Sequence, residues 1–455
     1  MEKAEENHCP IQQLPYEMLC EIFNYLDIGS VKQCSLTCRR WQEIIFSDSY
    51  IKRFKLCVKL PLPLPEQNAL KISDRLYRNV NLQLQRSTTQ TDKRELFNGI
   101  YAIFCYPKLE QLVTLKLSIP KEETNSILML MNSIKKMNVL RELHIVGSYG
   151  WIFTSNQTIS FKISNQSIRS LFAENIMPII IKAPNLSSLR IVLNSYETVH
   201  VLNEKFLHSN QLPNLKHLEL VAGRNLKGSK IASRSNVKHL LQFFSKLKTL
   251  ETLKLQNVLT FGYLLKAICE HCTNLTVLVI ESLHLLETST LHHLSKLTKL
   301  RHLTFGNIRC LDPVSFRGVH LPNLESVALG SFPILDETLR AFKVATKITL
   351  LGHDSTINLI PAIATTMPNL KHVELEHFSA TNLQSLNLLA SVEELTIRFP
   401  IDVIVVAFRC IVDNIKAIHS LVSTIPSDST IEQLLIIFPK LVLLKVGEHF
   451  NQTFI

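Results

Sequence analysis

Leu250-Glu-Thr-Leu253-Lys-Leu255 is followed 25 residues on by Leu275-Thr-Val-Leu278-Val-Ile280 and, after 25 more, by Leu300-Arg-His-Leu303-Thr-Phe305. The last two apolar residues of each copy are two apart, the period of side chains on one face of a strand. The same unit stands upstream at Leu140/Leu143/Ile145, Leu186/Leu189/Ile191 and Leu215/Leu218/Leu220. Downstream it stands at Leu324/Val327/Leu329, Leu370/Val373/Leu375, Val392/Leu395/Ile397 and Leu441/Leu444/Val446. Weaker copies centre on Leu115, Leu171, Ile348 and Ile418, for fourteen in all.

Successive centres are 18 to 35 residues apart, most of them between 20 and 29. That period is the one of leucine-rich repeats and is shorter than that of the helical repeats. The residues after each strand carry helical patterns, as from Phe261 to Cys272, so a unit reads as a strand plus a helix. Pro-Asn-Leu punctuates the units at Pro184, Pro213, Pro322 and Pro368, where proline ends a helix and leucine opens the next strand. The predicted fold of this part is α/β, a leucine-rich-repeat solenoid with parallel strands on the concave face and helices on the convex face. One position departs from the usual repeat. Three residues beyond the last strand leucine, where Asn or Cys is common, stand Val258, Leu283, Ile308, Phe332 and Phe378, so no regular buried asparagine ladder is expected there.

The chain has 455 residues, 46% hydrophobic and 19% charged, with 49 Lys+Arg against 38 Asp+Glu and a formal net charge of +11. Such a composition excludes disorder as the main state. The longest apolar runs, Val403 to Phe408 and Leu434 to Phe438, fall far short of the ~20 residues of a bilayer crossing. Met1 to Pro10 is acidic and lacks an apolar stretch, unlike a secretory signal. The protein is therefore expected in cytosol or nucleus, with its ten cysteines reduced and the sequons at Asn156, Asn185 and Asn274 bare. Residues 1–50 hold 4 basic and 8 acidic residues, leaving 45 and 30 for the rest. An acidic module precedes a basic one, which points to different partners.

In the acidic segment Leu19, Ile22, Phe23 and Leu26 fall at i, i+3, i+4 and i+7 on one helix face. Pro15 suits the first turn, and Glu17 favours the positive end of the helix dipole. Asp27 to Ser30 breaks the helix, Ser30 with Gln33 predicts a second helix from Val31, and Trp41 with Ile44 and Ile45 marks a third. Three short helices make too small a core to bury every apolar residue, so a partner surface is expected.

Leu14-Pro15, Glu17, Leu19, Ile22-Phe23, Tyr25-Leu26-Asp27, Cys34-Ser35-Leu36 and Cys38-Arg39-Arg40-Trp41 resemble an F-box, with Thr37 and Met18 as small departures. The resemblance implies docking on a Skp-type adaptor through Leu14, Pro15, Leu19, Ile22, Phe23, Leu26, Leu36 and Trp41. With the repeats it extends to the F-box proteins with C-terminal leucine-rich repeats. Ile268-Cys269-Glu-His-Cys272-Thr-Asn-Leu275 looks like the cysteine-containing repeat subtype that commonly accompanies an F-box. The implied role is that of a substrate-recognition subunit of a Skp-cullin-F-box ubiquitin ligase, holding a target protein for ubiquitination without catalysis of its own. A scaffold that binds partners without ubiquitination is the open alternative.

The expected organisation is a tail over 1–9, the F-box over 10–55, a connector and cap over 56–100, and repeats over 101–455. Leu60-Pro-Leu-Pro-Leu-Pro65 favours polyproline conformation, and Val80, Leu82 and Leu84 alternate like a capping strand. The register near Leu109/Leu112/Leu115 is open by three residues, and no cap is evident after Val446.

Side chains flanking the central leucine point to the concave face. They make His144, Arg190, His217, Glu219, Lys254, His302 and Glu374 candidate substrate contacts. No nucleophile stands beside a base among them. His217, His302 and His372 share a repeat position but are several strands apart, too far to meet at one metal. Cys269-x-x-Cys272 lacks the second pair of a zinc site, so no metal or cofactor is expected. The 35-residue gap between Leu218 and Leu253 contains a basic stretch. Its Arg224, Lys227 and Lys230 are expected to form a loop that contacts an acidic or phosphorylated substrate. Neither a membrane nor a nucleic acid is expected as a partner.

Overall fold

The structure, a computed structural model, describes residues 14–51, 53–60, 77–85, 110–120, 130–147, 162–176, 180–193, 212–223, 237–330, 332–334, 336–351, 359–376, 385–398, 412–422, 427–446 and 452–453, with isolated positions between them. The chain divides into two compact units, Met1–Asn185 and Leu186–Ile455.

The first unit opens with four helices. Helix α1 (Tyr16–Tyr25) starts behind Pro15 and buries Leu19 and Phe23. Helix α2 (Ile28–Cys34) begins three residues before the expected Val31, because Asp27 rather than Ser30 is its cap. The Asp27 carboxylate accepts from Ser30 N at 3.0 Å and from Ser30 Oγ at 2.7 Å, so the break shrinks to Leu26 and Asp27. Helix α3 (Arg39–Ile45) is capped by Cys38 Sγ, which accepts from Trp41 N at 3.5 Å. Helix α4 (Asp48–Ile51) follows at once. Their core is Leu19, Phe23, Val31, Ile44, Ile45, Tyr50 and Phe54, with Leu14, Leu26 and Trp41 packed on it. Arg53 donates to Phe23 O at 2.9 Å and Leu26 O at 3.1 Å, adding a side-chain donor to the carbonyls at the end of α1.

Strand β1 (Lys55–Leu60) comes next, so Leu60 ends a strand where a polyproline connector was expected to begin; Pro61 to Pro65 lie outside the described residues. Strand β1 pairs in parallel with β2 (Asn79–Leu84), whose Val80, Leu82 and Leu84 are buried. Strands β3 (Thr114–Ile119) and β4 (Glu142–Gly147) continue the parallel sheet. Burial of Leu112, Leu115 and Leu117 settles the open register. Strand β5 (Lys162–Ser164) precedes β6 (Ser170–Glu174), which pairs with β4, and β7 (Ile180–Lys182) pairs with β5 in a separate two-stranded sheet. With 18 residues from Leu171 to Leu189, this short strand replaces the helix, and Ile163 and Ile181 supply its buried side.

In the second unit every parallel strand pairs with the next. They are β8 (Ser188–Leu193), β9 (His217–Ala222), β10 (Thr252–Phe261), β11 (Val277–His284), β12 (His302–Arg309), β13 (Ser326–Leu329), β14 (Lys347–Leu350), β15 (His372–Leu375), β16 (Glu394–Ile397), β17 (Ala417–Ser420) and β18 (Leu443–Val446). Between them run α5 (Val237–Phe244), α6 (Gly262–His271), α7 (Asp336–Ala341), α8 (Ile360–Thr366) and α9 (Asp428–Ile437), with 3-10 turns at Thr288–Lys296 and Leu386–Leu388. A last strand, β19 (Gln452–Thr453), turns back antiparallel on β18 and covers that edge, a cap the sequence did not announce.

The apolar Val258, Leu283, Ile308 and Phe332 are buried, as the departure from the usual repeat requires; Phe378 lies outside the described residues. An asparagine ladder exists at another position. Asn274 Nδ2 donates to Lys248 O and Asn323 Nδ2 to Thr298 O, each at 2.8 Å. Thr249 Oγ1 donates to Pro213 O, also at 2.8 Å. In the first unit Asn185 Nδ2 reaches Gln166 O and Ser167 Oγ reaches Leu140 O, again at 2.8 Å. Each donor immediately precedes the first apolar residue of its repeat, a leucine in four cases and Ile168 in the fifth, and ties down the turn of the repeat before it. The strands of each unit leave one face open and bury their alternate leucines on the other, so the architecture is α/β, a helical module followed by leucine-rich repeats.

Candidate functional site

The eight expected adaptor contacts separate into three groups. Leu19 and Phe23 are wholly inside the helical core and offer nothing to a partner, a correction that follows from the helices' need for their own core. Leu14, Leu26 and Trp41 are half-buried against it. Arg40 Nη2 donates to Leu14 O at 2.6 Å, and Trp41 meets Phe23 edge-on at 5.3 Å. Pro15, Ile22 and Leu36 are exposed, Leu36 to 79%. The sequence reading missed the exposed Tyr16, Met18, Tyr25 and Ile28, although Met18, Ile22 and Tyr25 at i, i+4 and i+7 form a second apolar stripe on α1. Tyr25 is 88% exposed.

On the open face of the second unit Arg190 and Glu219 are brought together, Nε to Oε1 at 3.4 Å, with Lys254 next in the same row. His217 and His302 are three strands apart and His302 and His372 three more, so the histidines do not converge. His302 Nδ1 shares a hydrogen bond with Ser326 Oγ at 3.0 Å.

Glu374 is a correction to the candidate contacts. It is nearly buried and held by Lys347 Nζ at 3.0 Å, Arg398 Nη2 at 3.1 Å and Thr349 Oγ1 at 3.2 Å. Burial pushes its carboxyl up, but Lys347 and Arg398 outweigh that and hold it below its ordinary value. Next to it His372 contacts Glu394 at 3.1 Å and Thr396 at 2.8 Å. Burial and Lys347 hold that imidazole below its ordinary value. In the first unit His144 packs against Phe172 with ring centroids 5.6 Å apart.

Cys269 and Cys272 are fully buried; burial pushes the Cys272 thiol up to about 12 and that of Cys269 further. Cys272 Sγ faces Phe244 O at 3.8 Å, a packing position. Among the described residues no three His, Cys, Asp or Glu side chains gather as a metal site, and no helix is long and apolar enough to cross a membrane. Arg224, Lys227 and Lys230 lie outside the described residues.

The family model for F-box-like domains matches residues 11–56. The chain carries an F-box-like domain. F-box domains generally bind Skp-type adaptors, and joined to leucine-rich repeats this one belongs to a protein-interaction molecule. Among solved structures, a Bacteroides fragilis protein is similar over 56% of this chain and 68% of its own, at 14% identity and a TM-score of 0.31. Internalin C2 from Listeria monocytogenes is similar over 66% of this chain and 91% of its own, at 15% identity and a TM-score of 0.25. No curated protein matches the chain.

Proposed function

We propose that the protein is the substrate-recognition subunit of a Skp-cullin-F-box ubiquitin ligase, acting in the cytosol or nucleus. The F-box docks on the adaptor and through it on a cullin scaffold, while the repeats hold the target near the conjugating enzyme. Its contribution is proximity rather than bond making.

The observation that carries this reading is the apolar surface of the F-box. Ile11, Tyr16, Met18, Ile22, Tyr25, Ile28 and Leu36 are large, apolar and exposed within 26 residues, a density that marks an interaction site. Pro15, Ile22 and Leu36 remain as adaptor contacts, joined by Tyr16, Met18, Tyr25 and Ile28, with Leu14, Leu26 and Trp41 shaping the surface from below.

The test is co-purification of the tagged full chain and of its Tyr25→Asp/Leu36→Asp variant. The intact chain should recover both a Skp-type adaptor and a cullin, and the variant neither. Recovery of adaptor without cullin overturns the ligase reading.

A further inference from the structure

In the first unit β1, β2, β3, β4 and β6 direct alternate residues to one open face, and the residue before each of β2, β3, β4 and β6 lines its leading edge. Six basic residues stand in these rows, Lys55, Lys59, Arg78, Lys116, Arg141 and Arg169, against two acidic ones, Glu142 and Glu174. The corresponding rows on the eleven parallel strands of the second unit are nearly balanced. There nine basic residues meet seven acidic ones, a surplus of two spread over eleven strands, and opposite signs stand side by side on neighbouring strands. Lys216 lies 2.8 Å from Glu251, Arg301 3.4 Å from Glu325 and Lys416 3.1 Å from Glu393.

Strands are about 4.8 Å apart, so the five strands span about 20 Å. Cations on adjacent strands stand within about a Debye length, 8 Å at physiological salt, and their fields add. His144 lies among them and is held below its ordinary value, first by burial, with Glu142 opposing and Lys116 and Lys55 reinforcing. It stays neutral near pH 7, so the positive field comes from lysine and arginine. Phe172, beside it, adds an apolar floor. The arginines occupy the leading edge, where a guanidinium can take a carboxylate in two parallel hydrogen bonds.

We propose that this open face of the first unit receives an acidic polypeptide segment, rich in glutamate or aspartate, whose carboxylates pair with Arg78, Lys116, Arg141 and Arg169. The assignment rests on the receptor reading above and places the contact on β2, β3, β4 and β6 rather than at the basic residues between 224 and 230. An extended chain advances about 3.3 Å per residue, so about six residues cross the five strands.

The test uses the full chain with its co-expressed adaptor and a fluorescein-labelled octaglutamate peptide, read by anisotropy at low and high salt. Binding should weaken with salt and fall at least about tenfold in Lys116→Gln/Arg141→Gln. It should change less than about twofold in Arg301→Gln/Lys416→Gln, whose cations are paired with Glu325 and Glu393, and in Arg224→Gln/Lys227→Gln/Lys230→Gln. Equal losses from the two faces, loss only on neutralising Arg224, Lys227 and Lys230, or tighter binding of a duplex DNA of equal charge overturns the proposal. If thermal unfolding shows Lys116→Gln/Arg141→Gln to be misfolded, Arg141→Gln/Arg169→Gln carries the same expectation. Cullin recovery is read separately: its absence with peptide binding intact sinks the ligase reading and leaves this contact standing.

Discussion

The F-box and the second unit treat apolar surface in opposite ways. Seven large apolar residues are exposed between Ile11 and Leu36, whereas among the described residues from 186 onward only Leu286, Leu311, Leu388, Leu435, Ile436 and Val442 are. The cause is size and connectivity. A four-helix module of some 40 residues encloses one small cluster, and any apolar residue on the outer side of a helix stays outside. A repeat lends its neighbour a buried face, so each added strand covers the leucines of the one before. The helical module needs a partner to finish its surface; the repeats finish each other's.

That contrast breaks most severely if core and surface substitutions in the F-box behave alike. Leu19→Ala empties a fully buried site and should cost about 3 kcal/mol of stability in urea unfolding. Tyr25→Ala, on the outer stripe, should change stability by less than about 0.5 kcal/mol and weaken adaptor binding by about 2 kcal/mol in calorimetry. Equal stability losses would mean that the outer stripe is packed within the chain.

The repeats should show the reverse, an intolerance of added atoms. A Cβ on Gly330 would run into Gly306 O, and one on Gly306 would stand 2.5 Å from Glu281 O. These are backbone atoms that cannot swing aside. Gly330→Ala is expected to cost about 2 kcal/mol or more in the same unfolding measurement. A smaller loss, about 1 kcal/mol, is expected from Asn274→Ala, which removes the bond to Lys248 O at the preceding turn. An unchanged midpoint would leave the turn ladder without a stabilising role.

Leucine spacing made the repeat strands legible because a two-residue period and one buried face leave only one register for each strand. Pro-Asn-Leu was legible as punctuation, but its asparagine's bond to the preceding turn was not, since the acceptor lies 25 residues back at Thr298 for Asn323 and 19 back at Gln166 for Asn185. Helix periodicity found the α1 stripe yet could not say which of its members point inward. Leu19 and Phe23 took the core and left Ile22 out because α3 and Tyr50 pack on that side. Glu374 read as a surface group because its partners Lys347 and Arg398 come from the strand before and the end of the strand after. Charge asymmetry was visible as a bulk excess, whereas the basic rows on β1, β2, β3, β4 and β6 required the strand register.

The smallest expected effect is on pH. Residues 11–56 contain no histidine, while His144, His372 and His419 on the repeats' open faces are all held below their ordinary value, burial being the first cause in each. Lys347, Glu394 and Glu374 surround His372, and Glu394, Lys445 and Lys347 act on His419. Their unfolded value is about 6.5. As pH falls through it the unfolded chain takes up protons before the folded one, so stability present above about pH 6.5 is lost toward the lower folded values. Glu374, held below its ordinary value, adds a further loss only at more acidic pH. The urea midpoint of the full chain should therefore drop between pH 7.5 and 5.5, and His372→Gln should lessen that drop. Adaptor binding by the F-box should stay level over the same interval. A midpoint that stays flat while adaptor binding falls would reverse the assignment of proton sensitivity to the repeats and place it in the helical module instead.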